Sequence, residues 1–127
     1  MAITIGIDLG TTNSSAAVMD GAHPRVITTP EGEPTIPSVF AIDTEGNRLV
    51  GEAARRQAEA NPAGTVQATK RLIGRNFHSK SIDRTRQVFT YEMVEGANEE
   101  VQVQVRDQVF TLEQISAAIL SRVREVA

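Results

Sequence analysis

The 127-residue chain contains no cysteine. That excludes disulfide staples, thiolate zinc sites, iron–sulfur clusters and thiol nucleophiles together. Its two histidines, His23 and His78, are too few and too far apart to suggest a histidine metal cluster. No apolar run approaches the roughly 20 residues that span a bilayer. The start meets Asp8 after seven residues, which is no secretory signal, and Ala2 stands where myristoylation needs glycine. Among phosphate loops, neither the G-x-G-x-x-G fingerprint nor a Gly-Lys-Ser/Thr loop occurs. There is no nucleophile elbow, and no Ser/His/Asp set is suggested by spacing. A net charge of −3 argues against a generally basic nucleic-acid binder. The expectation is a soluble cytoplasmic protein with neither membrane nor nucleic acid as partner.

What is present suits one ordinary domain, since domains usually run roughly 100–200 residues. The charge is unevenly spread. Residues 1–51 carry −4, residues 52–86 carry +5 and residues 87–127 carry −4. The basic middle contains Arg55, Arg56, Lys70, Arg71, Arg75, Lys80, Arg84 and Arg86. It reads either as a solvated helical surface or as a face for an anion.

Alternation of Ile3, Ile5 and Ile7 with Thr4, Gly6 and Asp8 predicts a first strand. Further short antiparallel strands are expected over 15–19, 25–28, 38–42 and 48–50, with Asp20-Gly21 as a turn between the first pair. Residues 52–60 (EAARRQAEA) predict a helix ending at Asn61-Pro62. A second helix is expected over about 65–73, with Lys70 and Arg71 in its last turns, where cations complement the helix dipole. Strands are expected over 88–94 and 101–105. Finally, Leu112, Ile115, Ile119, Val123 and Val126 mark one face of a helix, with Thr111 and Gln114 as a capping box. That pattern runs into Ala127 without a stop signal, which fits a chain cut short or simple fraying.

The densest chemistry lies in Ile5-Gly-Ile-Asp-Leu-Gly-Thr-Thr-Asn13. An acid ends an apolar strand, and glycine, two hydroxyls and an amide follow in a tight turn. A carboxylate buried beside isoleucines would need a cation or a cluster of donors. Gly10 permits close backbone approach to a ligand, and the amides of Thr11, Thr12 and Asn13 suit phosphate oxygens. A hydrated magnesium ion would suit Asp8. The same residues equally describe a hydrogen-bonded hairpin turn.

This stretch, with Met1–Gly21 as a whole, resembles the N-terminal signature of the seventy-kilodalton heat-shock chaperones, especially the bacterial DnaK type. Agreement continues in order and spacing through Pro37-Ser-Val-Phe-Ala41, Leu49-Val-Gly-Glu-Ala-Ala54, Asn61-Pro62, Lys70-Arg-Leu-Ile-Gly-Arg75 and Glu113-Gln-Ile-Ser-Ala117. Residues 76–110 match loosely. The resemblance implies an α/β, actin-like (ribonuclease H-like) ATPase fold, of which this chain would be the N-terminal part of lobe I. Residues of about 1–36 would form phosphate-binding hairpins, about 37–111 a small peripheral subdomain, and 112–127 the start of a helix. The substrate-binding domain would lie outside the 127 residues.

On the same resemblance, Asp8 would face magnesium-bound waters, while Gly10, Thr11, Thr12 and Asn13 would hold the β/γ-phosphates of ATP or ADP. Lys70 would position the attacking water and γ-phosphate, stabilising charge during phosphoryl transfer. Arg71 beside it is a weaker candidate. Implied partners are unfolded polypeptides, a J-domain co-chaperone and a nucleotide-exchange factor. Pro34 and Ile36 depart from the family's usual basic residue and threonine in a loop that the exchange factor touches, and Leu112 replaces a common proline. The isolated chain is expected to lack useful ATPase activity and to self-associate. Two other classes remain open: a non-catalytic interaction module and an actin-like filament subunit.

Overall fold

The computed structural model describes residues 4–127; Ile3, which opens the first alternation, lies outside them. Among the described residues ten strands and three α-helices follow one another, and each pairing between named strands is antiparallel. The first sheet holds β1 (Ile5–Leu9), β2 (Asn13–Asp20) and β3 (His23–Val26), with β4 (Ile36–Pro37) on the start of β2. Gly21, at φ 64, opens the tight β2–β3 turn, a conformation that glycine adopts without penalty. In the second sheet β5 (Val39–Ile42) lies between β6 (Arg48–Val50) and β7 (Thr65–Gln67). The third is a meander of β8 (Glu92–Glu95), β9 (Val101–Val105) and β10 (Gln108–Thr111).

Strand β5 is buried along its whole length because its two faces meet different layers. Val39 and Ala41 pack on Ala54 of α1 (Glu52–Arg56), while Phe40 and Ile42 enter the main core. That core gathers Val66, Leu72, Met93, Phe110 and the inward valines 101, 103 and 105. The β9 alternation is thus a half-buried strand, with its glutamines on the wetter face. Long helix α3 (Leu112–Val126) closes the core with Leu112, Ile115 and Ile119, then reaches the first sheet through Val123, which packs near Ala16 and Ile36. Its start is the expected capping box: Thr111 Oγ1 accepts from Gln114 N at 3.1 Å, and Gln114 Oε1 accepts from Thr111 N at 2.8 Å.

Three local expectations are corrected, and one helix is added. The first helix stops at Arg56 instead of running to residue 60. Gln57 Nε2 folds back onto Ala54 O (2.7 Å) and Thr65 Oγ1 (2.9 Å), and the following amides bond three residues back. The expected helix over 65–73 is β7 followed by a single 3₁₀ turn, Thr69–Arg71. Here Val66, fully buried and paired with Phe40, decides in favour of the sheet, and Ala68 at φ 58 breaks the chain between the two. Helix α2 (Lys80–Arg86) was not anticipated; it buries one apolar residue, Ile82, so no periodicity announced it. Its end explains why the strand expected from Val88 begins only at Glu92: the amides of Val88 and Phe89 both donate to Thr85 O.

Candidate functional site

The β1–β2 connection is the turn Gly10–Asn13, flanked by the paired residues Leu9 and Ser14. It closes so tightly that a Cβ on Gly10 would lie 2.3 Å from Asn13 O. The glycine therefore serves the chain's own close approach here, a role additional to any approach of a ligand. Ser38 pins the turn from β5's side: its amide donates to Thr12 O (2.9 Å), and its hydroxyl donates to Gly10 O (2.9 Å). With that proton committed, Ser14 is the donor in the 2.9 Å contact between the two buried hydroxyls. Ser14 and Ser38 were missed as site residues, although both fall within the quoted motifs; nothing in their spacing indicated that they meet.

The fixed turn leaves donors free. Among the described residues, no turn hydrogen bond uses the amides of Gly10, Thr11 or Thr12. Thr12 and Asn13 are exposed and Thr11 is partly so. Successive unpaired N–H groups in one tight turn form an anion-binding concavity.

Lys70 comes to this turn from 61 residues away. Its Nζ donates to Leu9 O at 2.8 Å, at the strand end that leads into Gly10. The 3₁₀ turn carrying it sits against α3, and left-handed Ala68 sets its direction. An ammonium has three donors, so one bond to Leu9 O leaves others for an incoming anion. Helix-end dipole compensation, the alternative explanation for Lys70, is excluded because residue 70 is not in an α-helix.

Asp8 sits one residue before Leu9, paired in register with Ser15, and it is exposed. The expectation that its carboxylate is buried among isoleucines is therefore corrected: β1 has no fully buried position in this chain. No ion pair joins Asp8 to Lys70 among the described residues, so neither charge neutralises the other. Arg71 is exposed, and no side-chain hydrogen bond or ion pair ties it to the turn among the described residues. Its charge is felt instead by Tyr91, whose hydroxyl is pushed well up by burial and slightly back down by Arg71.

A groove of about 850 Å³ lies between the loop around Glu31 and Glu33, helix α1 and the end of α3. It takes only Thr12 and Asn13 from the turn, and Asp8, Thr11 and Lys70 lie outside it. Its arginines are largely committed: Arg55 and Arg56 to Glu52, and Arg122 to Glu125. The charge-bearing turn and this groove therefore meet only at Thr12 and Asn13.

A carboxylate near a strand end, a turn of free amides and a lysine carried on the 3₁₀ turn after β7 thus meet at one edge of the first sheet, and the polypeptide around them is of the α/β class. The family model described as Hsp70 protein matches residues 4–127. The chain belongs to that family of ATP-dependent chaperones, whose fold is the actin-like ATPase; α helices and several antiparallel sheets agree with it.

Proposed function

We propose that these 127 residues are the leading part of lobe I of a DnaK-type ATPase domain, and that the Gly10–Asn13 turn with Lys70 forms half of its nucleotide site. The observation carrying this reading is the Lys70 Nζ–Leu9 O hydrogen bond, which brings the ammonium to the strand end that leads into the turn of free amides. Supporting it are the ordered family motifs and the match over residues 4–127. On this reading residues of about 1–36 form the phosphate-binding hairpins, about 37–111 the peripheral subdomain, and 112–127 the start of a helix.

The donor set fits nucleotide phosphates. The amides of Thr11, Thr12 and Asn13 would hold β/γ-phosphate oxygens, and Gly10 keeps the turn tight enough to present them. Asp8, exposed and uncommitted, would hold a hydrated magnesium ion through water. The metal, when bound, supplies neutralisation of phosphate charge. Lys70 would position the γ-phosphate and stabilise charge developing on it, where positioning and electrostatics carry most of the acceleration. Arg71 contributes less, since among the described residues no side-chain hydrogen bond or ion pair holds it at the turn. In the complete protein this ATPase drives binding and release of unfolded polypeptides in the cytoplasm, assisted by a J-domain co-chaperone and a nucleotide-exchange factor.

The isolated chain is expected to have no useful ATPase activity, because a site shared between two lobes loses half its contacts when one is missing. Binding must still overcome several kcal/mol of association entropy. Calorimetry with Mg-ADP tests this: no saturation in the micromolar range is expected of the 127 residues, and micromolar affinity would overturn the half-site reading.

A second reading, a non-catalytic interaction module, is favoured by one observation. Met19 and Val26, 60% and 50% exposed, share one face of the first sheet. On a module such an exposed apolar face would dock on a partner protein, whereas on a piece of a larger domain it would drive self-association. Light scattering separates the two: a clean monomer with a cooperative melt favours a module, and self-association favours a piece of a larger domain.

A further inference from the structure

Outside the phosphate turn, the structure brings together one imidazole and two carboxylates from distant parts of the chain. His78 precedes α2, Glu95 ends β8, and Glu99 lies in the connection from β8 to β9. One ligand atom from each lies within 4.8 Å of the others. His78 Nε2 and Glu95 Oε2 are already 2.9 Å apart. We propose that His78, Glu95 and Glu99 form a binding site for a divalent transition-metal ion of the zinc type, independent of the nucleotide reading.

Three observations support the assignment. The two segments are locked to each other by their backbones: Phe77 N donates to Glu99 O at 2.7 Å, and Asn76 and Glu100 form a β-bridge. The side chain of Asn76 then holds both sides of the cluster, accepting from His78 N at 2.8 Å and donating to Glu99 Oε2 at 3.2 Å. A carboxylate steadied in this way by an outer partner is the usual support of a metal ligand.

The charge is also uncompensated. Among the described residues Glu99 has no lysine or arginine partner, and the one ion-pair partner of Glu95 is His78. The nearby Arg86 is committed elsewhere, stacked 3.9 Å over the Phe77 ring and donating to Phe77 O. A divalent cation would neutralise the two carboxylates with no lysine or arginine to displace, taking the place of the His78–Glu95 hydrogen bond.

The ligand chemistry selects the metal. One nitrogen and two oxygens suit zinc or its neighbours, whereas magnesium and calcium prefer all-oxygen shells. Zinc bonds of about 2.0–2.2 Å place two ligands on one ion no more than about 4.4 Å apart. Exposed side chains that start within 4.8 Å need only small rotations to reach that spacing. In the 2.9 Å contact with Glu95 the donor is Nε2–H, so the ion replaces that proton: the neutral imidazole shifts to its Nδ1–H tautomer, with solvent carrying the proton, and both Nε2 and the Glu95 carboxylate turn to the metal. All three residues are exposed, so a fourth position stays open to water.

The test is titration of the purified chain with zinc chloride by calorimetry, with cobalt chloride as a spectroscopic probe. One-to-one saturable binding and a cobalt d–d spectrum showing mixed nitrogen–oxygen ligation are expected. His78→Ala and Glu99→Gln should each weaken zinc by about 100-fold or more, and Asn76→Ala, which removes only support, by about 10-fold. His23→Ala, which alters the other imidazole, should leave binding unchanged. Circular dichroism of each variant checks that the fold persists. Absence of saturable binding at about 1 mM zinc, or affinity that depends on His23 and not on His78, would overturn the proposal. Neither result bears on nucleotide binding.

Discussion

Replacing Gly10 by alanine tests how the phosphate turn is built. The new methyl would sit 2.3 Å from Asn13 O, against an ordinary contact of roughly 3.5 Å, so one of them must retreat by about 1 Å. The obstacle is backbone, held in place by the Asn13–Pro37 pairing and the Leu9–Ser14 register. Opening the turn stretches two bonds from Ser38, the amide to Thr12 O and the hydroxyl to Gly10 O, both 2.9 Å. At about 0.5–1.5 kcal/mol each, plus the penalty for buried hydroxyls left poorly paired, the loss is about 2–4 kcal/mol. Stiffening of the unfolded chain returns about 0.4–1 kcal/mol. The net destabilisation should be about 1–3.5 kcal/mol. Gly6→Ala in β1 is the matched control, since a Cβ there meets nothing within 4 Å. It should be neutral or stabilising by up to about 1 kcal/mol. Urea unfolding compares the two, and hydrogen exchange adds a local reading: the Ser38 amide should exchange faster in Gly10→Ala only. Equal stability of the two variants, with Ser38 equally protected, would refute the reasoning.

Three further perturbations probe the elements that carry the site. Ala68→Gly should stabilise the chain by up to about 1 kcal/mol in chemical denaturation, because φ 58 costs alanine more than the freedom that glycine adds to the unfolded state. Asn61→Ala should cost about 2–3 kcal/mol in the same assay. Its buried amide donates to Ile42 O and Gln57 Oε1, both at 2.8 Å, and accepts from Arg106. Tyr91, the chain's one tyrosine, is buried and donates to Gln67 O at 2.7 Å. Burial raises its pKa in the folded state, so its contribution to stability is complete below the unfolded value of about 10 and declines as pH rises above it. The phenolate absorbance should therefore appear only as the chain unfolds in alkali; a reversible titration near pH 10 in folded protein would contradict this.

Legibility followed the range of the forces involved. Short strands with alternating β-branched residues, the Asp20-Gly21 turn and the Thr111–Gln114 capping box were readable because each is decided within a few residues. The stretch over 65–73 was not, because its fate rests on Val66 pairing with Phe40 and not on local propensity. Helix α2 escaped notice because Ile82 alone faces the core. At the candidate site, the residues of the turn stood out as chemistry, but the exposure of Asp8 did not. The serine clamp of Ser14 and Ser38, 24 residues apart, is likewise a product of tertiary packing. Lys70 shows the limit most plainly. Its position in sequence suggested a helix-end cation, its motif suggested a phosphate ligand, and only the fold reveals the 2.8 Å bond that holds it against β1.

The central claim is that the turn and Lys70 act together on a nucleotide phosphate, and steady-state ATP turnover measured beside Mg-ATP affinity tests it most directly. In a complete protein carrying this sequence, Lys70→Ala should abolish hydrolysis while leaving the affinity for Mg-ATP largely intact. Unchanged turnover in that variant would contradict the account.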